Sequence, residues 1–223
     1  MSVIFIISVI GLLLTLPLHI ISIKYNILES RLGKARGEKV NKILGQISGD
    51  GHYIFCLGIW LAPQPRFYFP IFKSMVTIPV VGYDISIFHL IIAAPFIILF
   101  IVIELYAVKS LSMETSVTHK AEKVIKNGIY ATIRHPQHLG HLLGYIGMTI
   151  LFSGLYSLYF FPVLFIVVII LSLAEEAELV KHFGTEYREY QKSVPFLIPF
   201  LKKTWEHKAA ANTGAAVRAR QCR

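Results

Sequence analysis

Residues 139 to 174 run for 36 positions without a lysine, arginine, aspartate or glutamate. As one helix this run would be about 54 Å long, against a bilayer hydrocarbon core of about 30 Å. Two helices must therefore share it, returning to the side of the membrane where the run began. The turn is expected at "FSGLYS", residues 152 to 157, where Ser153 and Gly154 suit a tight reversal. A chain that is 55% hydrophobic over 223 residues fits the same reading of an integral membrane protein.

Other spans follow from length. Residues 2 to 23 carry no charge and no basic stretch before the apolar run, so a first span kinked near Pro17 is expected rather than a cleaved signal peptide. Residues 87 to 103 supply another span, closed by Glu104 and Lys109. Between them, roughly 46 to 62 reads as a span. An irregular outer segment rich in proline should follow, with Trp60, Tyr68 and Phe69 as interfacial belt residues and a re-entrant stretch open as an alternative at 75 to 83.

The expectation is thus an all-α integral membrane protein of about five transmembrane helices, the last two forming a tight helical hairpin. Charge provides a check on the count. Five spans place 20 of the 22 lysines and arginines on one face and leave only Arg66 and Lys73 on the other. A four-span or six-span arrangement breaks that segregation. The positive-inside rule then puts the N-terminus outside and the C-terminus in the cytosol. The net charge of +9 is accounted for by basic loops that touch anionic headgroups, which argues against a nucleic-acid partner. With only Cys56 and Cys222, neither a disulfide framework nor a cysteine metal site is indicated. Three regions are expected: residues 1–110 with three spans and a basic loop, residues 111–205 with the hairpin and its C-terminal cap, and a small-residue tail at 206–223 that reads as disordered.

Polar residues gather at the two ends of the hairpin. "EKVIKNGIYATIRHPQHLG" precedes it and "LAEEAELVKHFGTEYREYQKSVPFLIPF" follows it. Asn127-Gly128 marks a turn, and Pro136 keeps a helix from running through Arg134 and His135. Irregular backbone at a membrane boundary leaves amides free for a ligand. Equally, Arg134 can snorkel to phosphates while His135 caps the helix. Glu175, Glu176 and Glu178 run against the helix dipole, so a cationic ligand or Arg134 and His135 across the hairpin should face them. Tyr187, Tyr190, Phe196 and Phe200 suit an interfacial amphipathic helix as well as a lid.

In order and spacing, "GIY", "RHP", the double glutamate, "FG-x-x-Y-x-x-Y" and "P-x-x-x-P-F" resemble the isoprenylcysteine carboxyl methyltransferase family and its phospholipid methyltransferase relatives. The resemblance covers about residues 115 to 201. It implies a fold of about five helices and binding of S-adenosyl-L-methionine at the cytosolic end of the last two spans. It places cofactor contacts on Glu122, Lys123, Val124, Ile125, Tyr130, His135, Pro136, Gln137, His138 and Glu175. Two positions depart from the pattern: His138 stands where relatives often carry tyrosine, and Leu171 stands where carboxyl-methylating enzymes have an arginine.

Methyl transfer from a sulfonium is an in-line displacement that needs orientation and a dry site. Where a proton must leave, His138 or His135 is the candidate base, with Arg134 beside them. The acceptor is expected to be lipophilic and to enter from the bilayer, with no metal in the mechanism. Rival readings are a lipid amine N-methyltransferase, an NADPH-dependent reductase resembling the sterol reductases, and a non-catalytic membrane scaffold. Five spans without an appended soluble domain fit a prokaryotic inner membrane.

Overall fold

The structure is a computed structural model, described here for residues 1–68, 77–80, 83–111, 113–118 and 120–199. Phe69, Phe200 and the tail at 206–223 lie outside the described residues. The chain is mainly helical, and among the described residues three helices are long and apolar enough to cross a membrane: α1 (Val3–Ile23), α4 (Ile87–Leu111) and α7 (Leu155–Phe183). Their flanks expose Ile7, Ile10, Leu14, Ile91, Ile98, Leu105, Ile166 and Ile170. So many large apolar side chains facing outward suit lipid rather than water.

Helix α1 starts at Ser2, whose hydroxyl accepts from the Phe5 amide at 3.3 Å. It runs through Pro17 without ending. A short α2 (Tyr25–Leu32) follows, and Gly33 at φ 79 allows the chain to turn into α3 (Lys34–Leu61). The expected span at 46 to 62 is therefore only the second half of a 28-residue helix, because "KARGEKVNKILGQ" holds no proline and its lysine, arginine, glutamate, leucine and glutamine carry the helix past Gly37 and Gly45. Helix α1 packs along α3, where Gly11 lets the Phe55 ring approach so closely that a Cβ would sit 2.2 Å from it. Phe5, Leu12, Cys56 and Ile59 join Tyr145 and Leu164 in the principal core.

The outer segment carries a strand pair and corrects one expectation. Residues Thr77–Val80 (β1) pair antiparallel with Tyr83–Ser86 (β2), a short addition to an otherwise helical fold. Threonine, isoleucine, valine and tyrosine in a short run favour a hairpin. Trp60 is half-buried against Tyr145, 5.5 Å between ring centres, rather than standing free as a belt residue. Helix α4 also continues past Glu104 and Lys109 to Leu111.

After α5 (Met113–Thr118) the chain is largely irregular until α6 (Pro136–Leu151), apart from a 3-10 turn at Gly128–Ala131. Proline at the first position starts α6 without wasting an amide. The reversal into α7 falls at Phe152–Gly154, as the uncharged run requires, with Ser153 at φ 48. Arg66 donates to the Phe152 carbonyl, while Gln64 bonds the Ile59 carbonyl at 2.8 Å and accepts from the Ser157 amide at 3.0 Å. Helix α7 ends at Gly184, φ 58, and α8 (Thr185–Ser193) folds back.

Candidate functional site

The irregular approach to α6 sets Arg134 and His135 against the segment after α8. The Arg134 amide donates to the Pro195 carbonyl at 2.9 Å and the His135 amide to that of Phe196 at 3.2 Å. The side chains then turn toward α7. Arg134 Nε donates to Glu176 Oε1 at 2.6 Å, and its Nη1 donates to the carbonyls of Gln191 and Val194. Gln191 donates to Glu176 Oε2 at 2.6 Å. Arg134 is thus a part-buried clamp that holds the start of α6 against α7 and the end of α8, not a residue reaching out to phosphates. His135 caps nothing through its side chain, although it is the N-cap residue of α6.

His135 lies between two carboxylates: Nε2 is 3.1 Å from Glu176 Oε1 and Nδ1 is 3.5 Å from Glu175 Oε2. Burial alone would lower its pKa, but the hydrogen bonds to Glu175 and Glu176 outweigh burial and raise it. His138 stacks on His135 with 5.4 Å between ring centres, and its Nδ1 is 2.7 Å from Ser172 Oγ. Its other nitrogen faces Glu175 Oε1 at 3.6 Å. A third imidazole arrives from α1: His19 Nε2 is 3.8 Å from the same carboxylate oxygen.

A cavity of about 70 Å³ opens beside these rings, lined by Thr15, His19, Ser48, His52, His138 and Leu171 among others. Its far wall holds His141, whose Nε2 is 2.6 Å from the Tyr53 hydroxyl and 3.5 Å from Glu104. Leu171 presents only an apolar face there. Helices α1 and α3 therefore complete a site whose sequence motifs lie on α6 and α7.

The aromatic cap turns inward. Tyr187 and Tyr190 are buried with Val194 and Val124, so the amphipathic face of α8 packs on protein instead of anchoring in an interface. Tyr190 donates to the Tyr130 carbonyl at 2.6 Å, and burial raises the pKa of both phenols. Phe196 lies 5.0 Å from the His135 ring and beneath the Arg134 guanidinium.

Of the residues expected at the site, Arg134, His135, Pro136, His138 and Glu175 come together, and Val124 and Tyr130 join the cap. Gln137 turns to Ser116 at 3.5 Å, Ile125 is half-buried, and Glu122 and Lys123 are exposed on the loop. Sequence reasoning missed His19, Ser48, His52, Tyr53, Ser172 and Gln191. Histidines embedded in apolar helices were the available signal.

Residues 88–186 match the family model for phospholipid methyltransferase. Relatives match over part of the chain: identity is 36% over 84 residues with a protein-S-isoprenylcysteine O-methyltransferase of Schizosaccharomyces pombe, covering 37% of this chain and 36% of that protein. A methanethiol S-methyltransferase of Pseudomonas deceptionensis is 35% identical over 75 residues, covering 34% of this chain and 28% of the relative. The match to methanethiol S-methyltransferase 1 of Bradyrhizobium diazoefficiens is 33% over 74 residues, or 33% of this chain and 25% of the relative. The matched region spans about a quarter to a third of the length of these curated relatives. No solved structure matches the chain.

Proposed function

We propose that this chain, whose residues 88–186 belong to the phospholipid methyltransferase family, is a multi-pass membrane methyltransferase. It moves a methyl group from S-adenosyl-L-methionine to a lipophilic or membrane-associated acceptor. The observation that carries this reading is the convergence of three sequence motifs, at 134–138, 175–176 and 190–196, on one end of an apolar helix pair. That end has a water-exposed loop on one side and a cavity between apolar helices on the other.

A charged donor enters from water and an apolar acceptor from lipid. In this reading α1, α3, α4, α6 and α7 are five spans, with the N-terminus outside and the site on the cytosolic face, in a prokaryotic inner membrane. Donor contacts fall to the loop strip at Glu122–Ile125, to Tyr130, Pro136 and Gln137, and to His135, His138 and Glu175, with Glu175 facing the donor's cationic end. Arg134 holds these groups in place through Glu176 rather than touching the methyl. The protein supplies orientation and exclusion of water, which is what an in-line displacement needs. His138 is the base where the acceptor carries a proton.

The apolar face of Leu171 in the cavity supports a neutral acceptor, an amine or a thiol, over a carboxylate that would want a cation. Calorimetry on the detergent-purified protein tests the assignment. S-adenosylmethionine should bind in the micromolar range and NADPH should not; Glu175→Ala should abolish donor binding. Binding of NADPH alone would replace this reading with a reductase.

A further inference from the structure

Glu104 places a carboxylate within an apolar helix, and nothing in the site described so far uses it. Its Oε1 is buried and has no hydrogen-bond partner among the described residues. An ionisable group kept in a membrane-length helix at that cost marks a function by default. Space has been left for it: at Gly140 on α6 a Cβ would come within 2.7 Å of this oxygen.

The group it faces is His141, about one turn beyond His138 on α6. Glu104 Oε1 stands 3.5 Å from His141 Nε2, and the Tyr53 hydroxyl stands 2.6 Å from the same nitrogen. Carboxylate, imidazole and phenol thus meet at one ring atom, from α4, α6 and α3. His52 backs the imidazole, its ring stacked on it at 5.5 Å. All three groups can hold a proton or give one up, so the cluster can pass a proton whichever of them carries it at the outset.

The two sides of the cluster open on different surroundings. Tyr53, His52 and His141 line the same cavity as His138. Its volume of about 70 Å³ is several times the roughly 10–15 Å³ that one water needs, so water can bridge His138 and His141 across it. Glu104 stands behind them, next to Gln137, which hydrogen-bonds its carboxyl and turns toward Ser116 on α5. There the Glu104 side chain keeps 17% of its exposure, below the loop that leads into α6.

We propose that His141, Glu104 and Tyr53 form the route by which the acceptor's proton leaves the cavity, His141 receiving it, Glu104 releasing it to water and Tyr53 holding the imidazole in line. The inference rests on the methyltransferase reading. In that reaction the acceptor's lone pair forms the new bond to the methyl, and the old methyl–sulfur bond leaves its electron pair on the donor sulfur. The acceptor's proton goes to His138. Since the donor covers His135 and Glu175, the proton leaves by the opposite wall, through cavity water to His141, then to Glu104 and to bulk water. The side chains return to their starting state.

The test follows methyl transfer by the full chain in detergent, from S-adenosylmethionine to an alkanethiol or an alkylamine, in the first turnover and in the steady state. Glu104→Gln and His141→Gln should transfer the first methyl at the wild-type rate and then slow about 100-fold, the low end of what positioned proton transfer contributes. Tyr53→Phe should fall between them and wild type. An aryl thiol already ionised at the assay pH brings no proton, and with it all three variants should keep the wild-type rate throughout. Donor affinity, read by calorimetry, should be unchanged and so show that the variants have folded. A wild-type steady-state rate in Glu104→Gln and His141→Gln, a first turnover slowed as much as the later ones, or an equal loss with the ionised thiol would overturn the route alone. Wild-type protein that methylates none of these acceptors fails the methyltransferase reading itself, and the route falls with it.

Discussion

The two ends of the α6–α7 hairpin are both rich in polar groups and both buried, yet they are built for different ends. At the turn, Gln64, Arg66, Tyr145 and Ser157 bond chiefly to backbone groups and to each other. At the opposite end, Arg134, His135, Glu176 and Gln191 form a charged clamp, and beside it three imidazoles crowd the single carboxylate of Glu175. Hydrogen bonds that close on themselves specify shape. Ionisable groups crowded into a cleft are candidates for a functional site.

The sharpest way to break the comparison is Glu176→Ala, which strips the counter-charge from Arg134 and His135 and the acceptor from Gln191 together. A loss of about 3–5 kcal/mol is expected, because it leaves a buried guanidinium uncompensated. Thermal unfolding in detergent measures it. If the clamp were only a ligand contact, donor binding would fall while the melting temperature stayed put.

At the turn, Gln64→Ala removes the bonds to Ile59 and Ser157. It should cost about 1–3 kcal/mol. Donor affinity should be unchanged in the surviving folded protein, since the change lies at the far end of the helix pair.

A smaller effect is expected from pH. The pKa of His135 is raised in the folded state, so its contribution to stability is complete below its ordinary value of about 6.5 and is lost as pH rises through the folded value. The protein should therefore melt at a lower temperature at pH 8 than at pH 6, and His135→Gln should flatten that dependence.

The smallest effect belongs to a third place, where Lys120 bridges Glu29 at 2.8 Å and Glu38 at 3.2 Å on the rim. Lys120→Ala should cost no more than about 1 kcal/mol, and added salt should hide it.

Much of the turn end was legible in the sequence because it follows from length: 36 uncharged residues must fold back, and Ser153-Gly154 is where they can. The charged clamp was half legible. Glutamates directly after an apolar run call for a partner, and Arg134 and His135 were the nearest cations across a hairpin, although α7 runs on to Phe183 and the two carboxylates stand inside the helix rather than at its end. What stayed hidden depends on contacts between distant segments. His19 and Ser48 sit on helices whose local pattern is simply apolar or amphipathic, and nothing in either stretch says that they face α7. The start of α3 at Lys34 was missed because hydropathy locates membrane-length runs, whereas a helix can extend well into polar sequence. The inward turn of Tyr187 and Tyr190 was missed because the same spacing serves an interface or a core.

Helix α6 meets α4 through Gly140, Gly144 and Gly147, and a Cβ at Gly144 would come within 2.9 Å of the Phe100 ring. This is a small-residue stripe of the kind that lets two helices approach closely. One wall of the site is thereby bolted down, with the histidines of α6 standing on it, while the opposite wall is supplied by α1 and α3. A selection experiment that seeks new acceptors should accordingly find its beneficial changes on α1 and α3, around Thr15, Leu16 and Gly49, and find the glycine face of α6 intolerant.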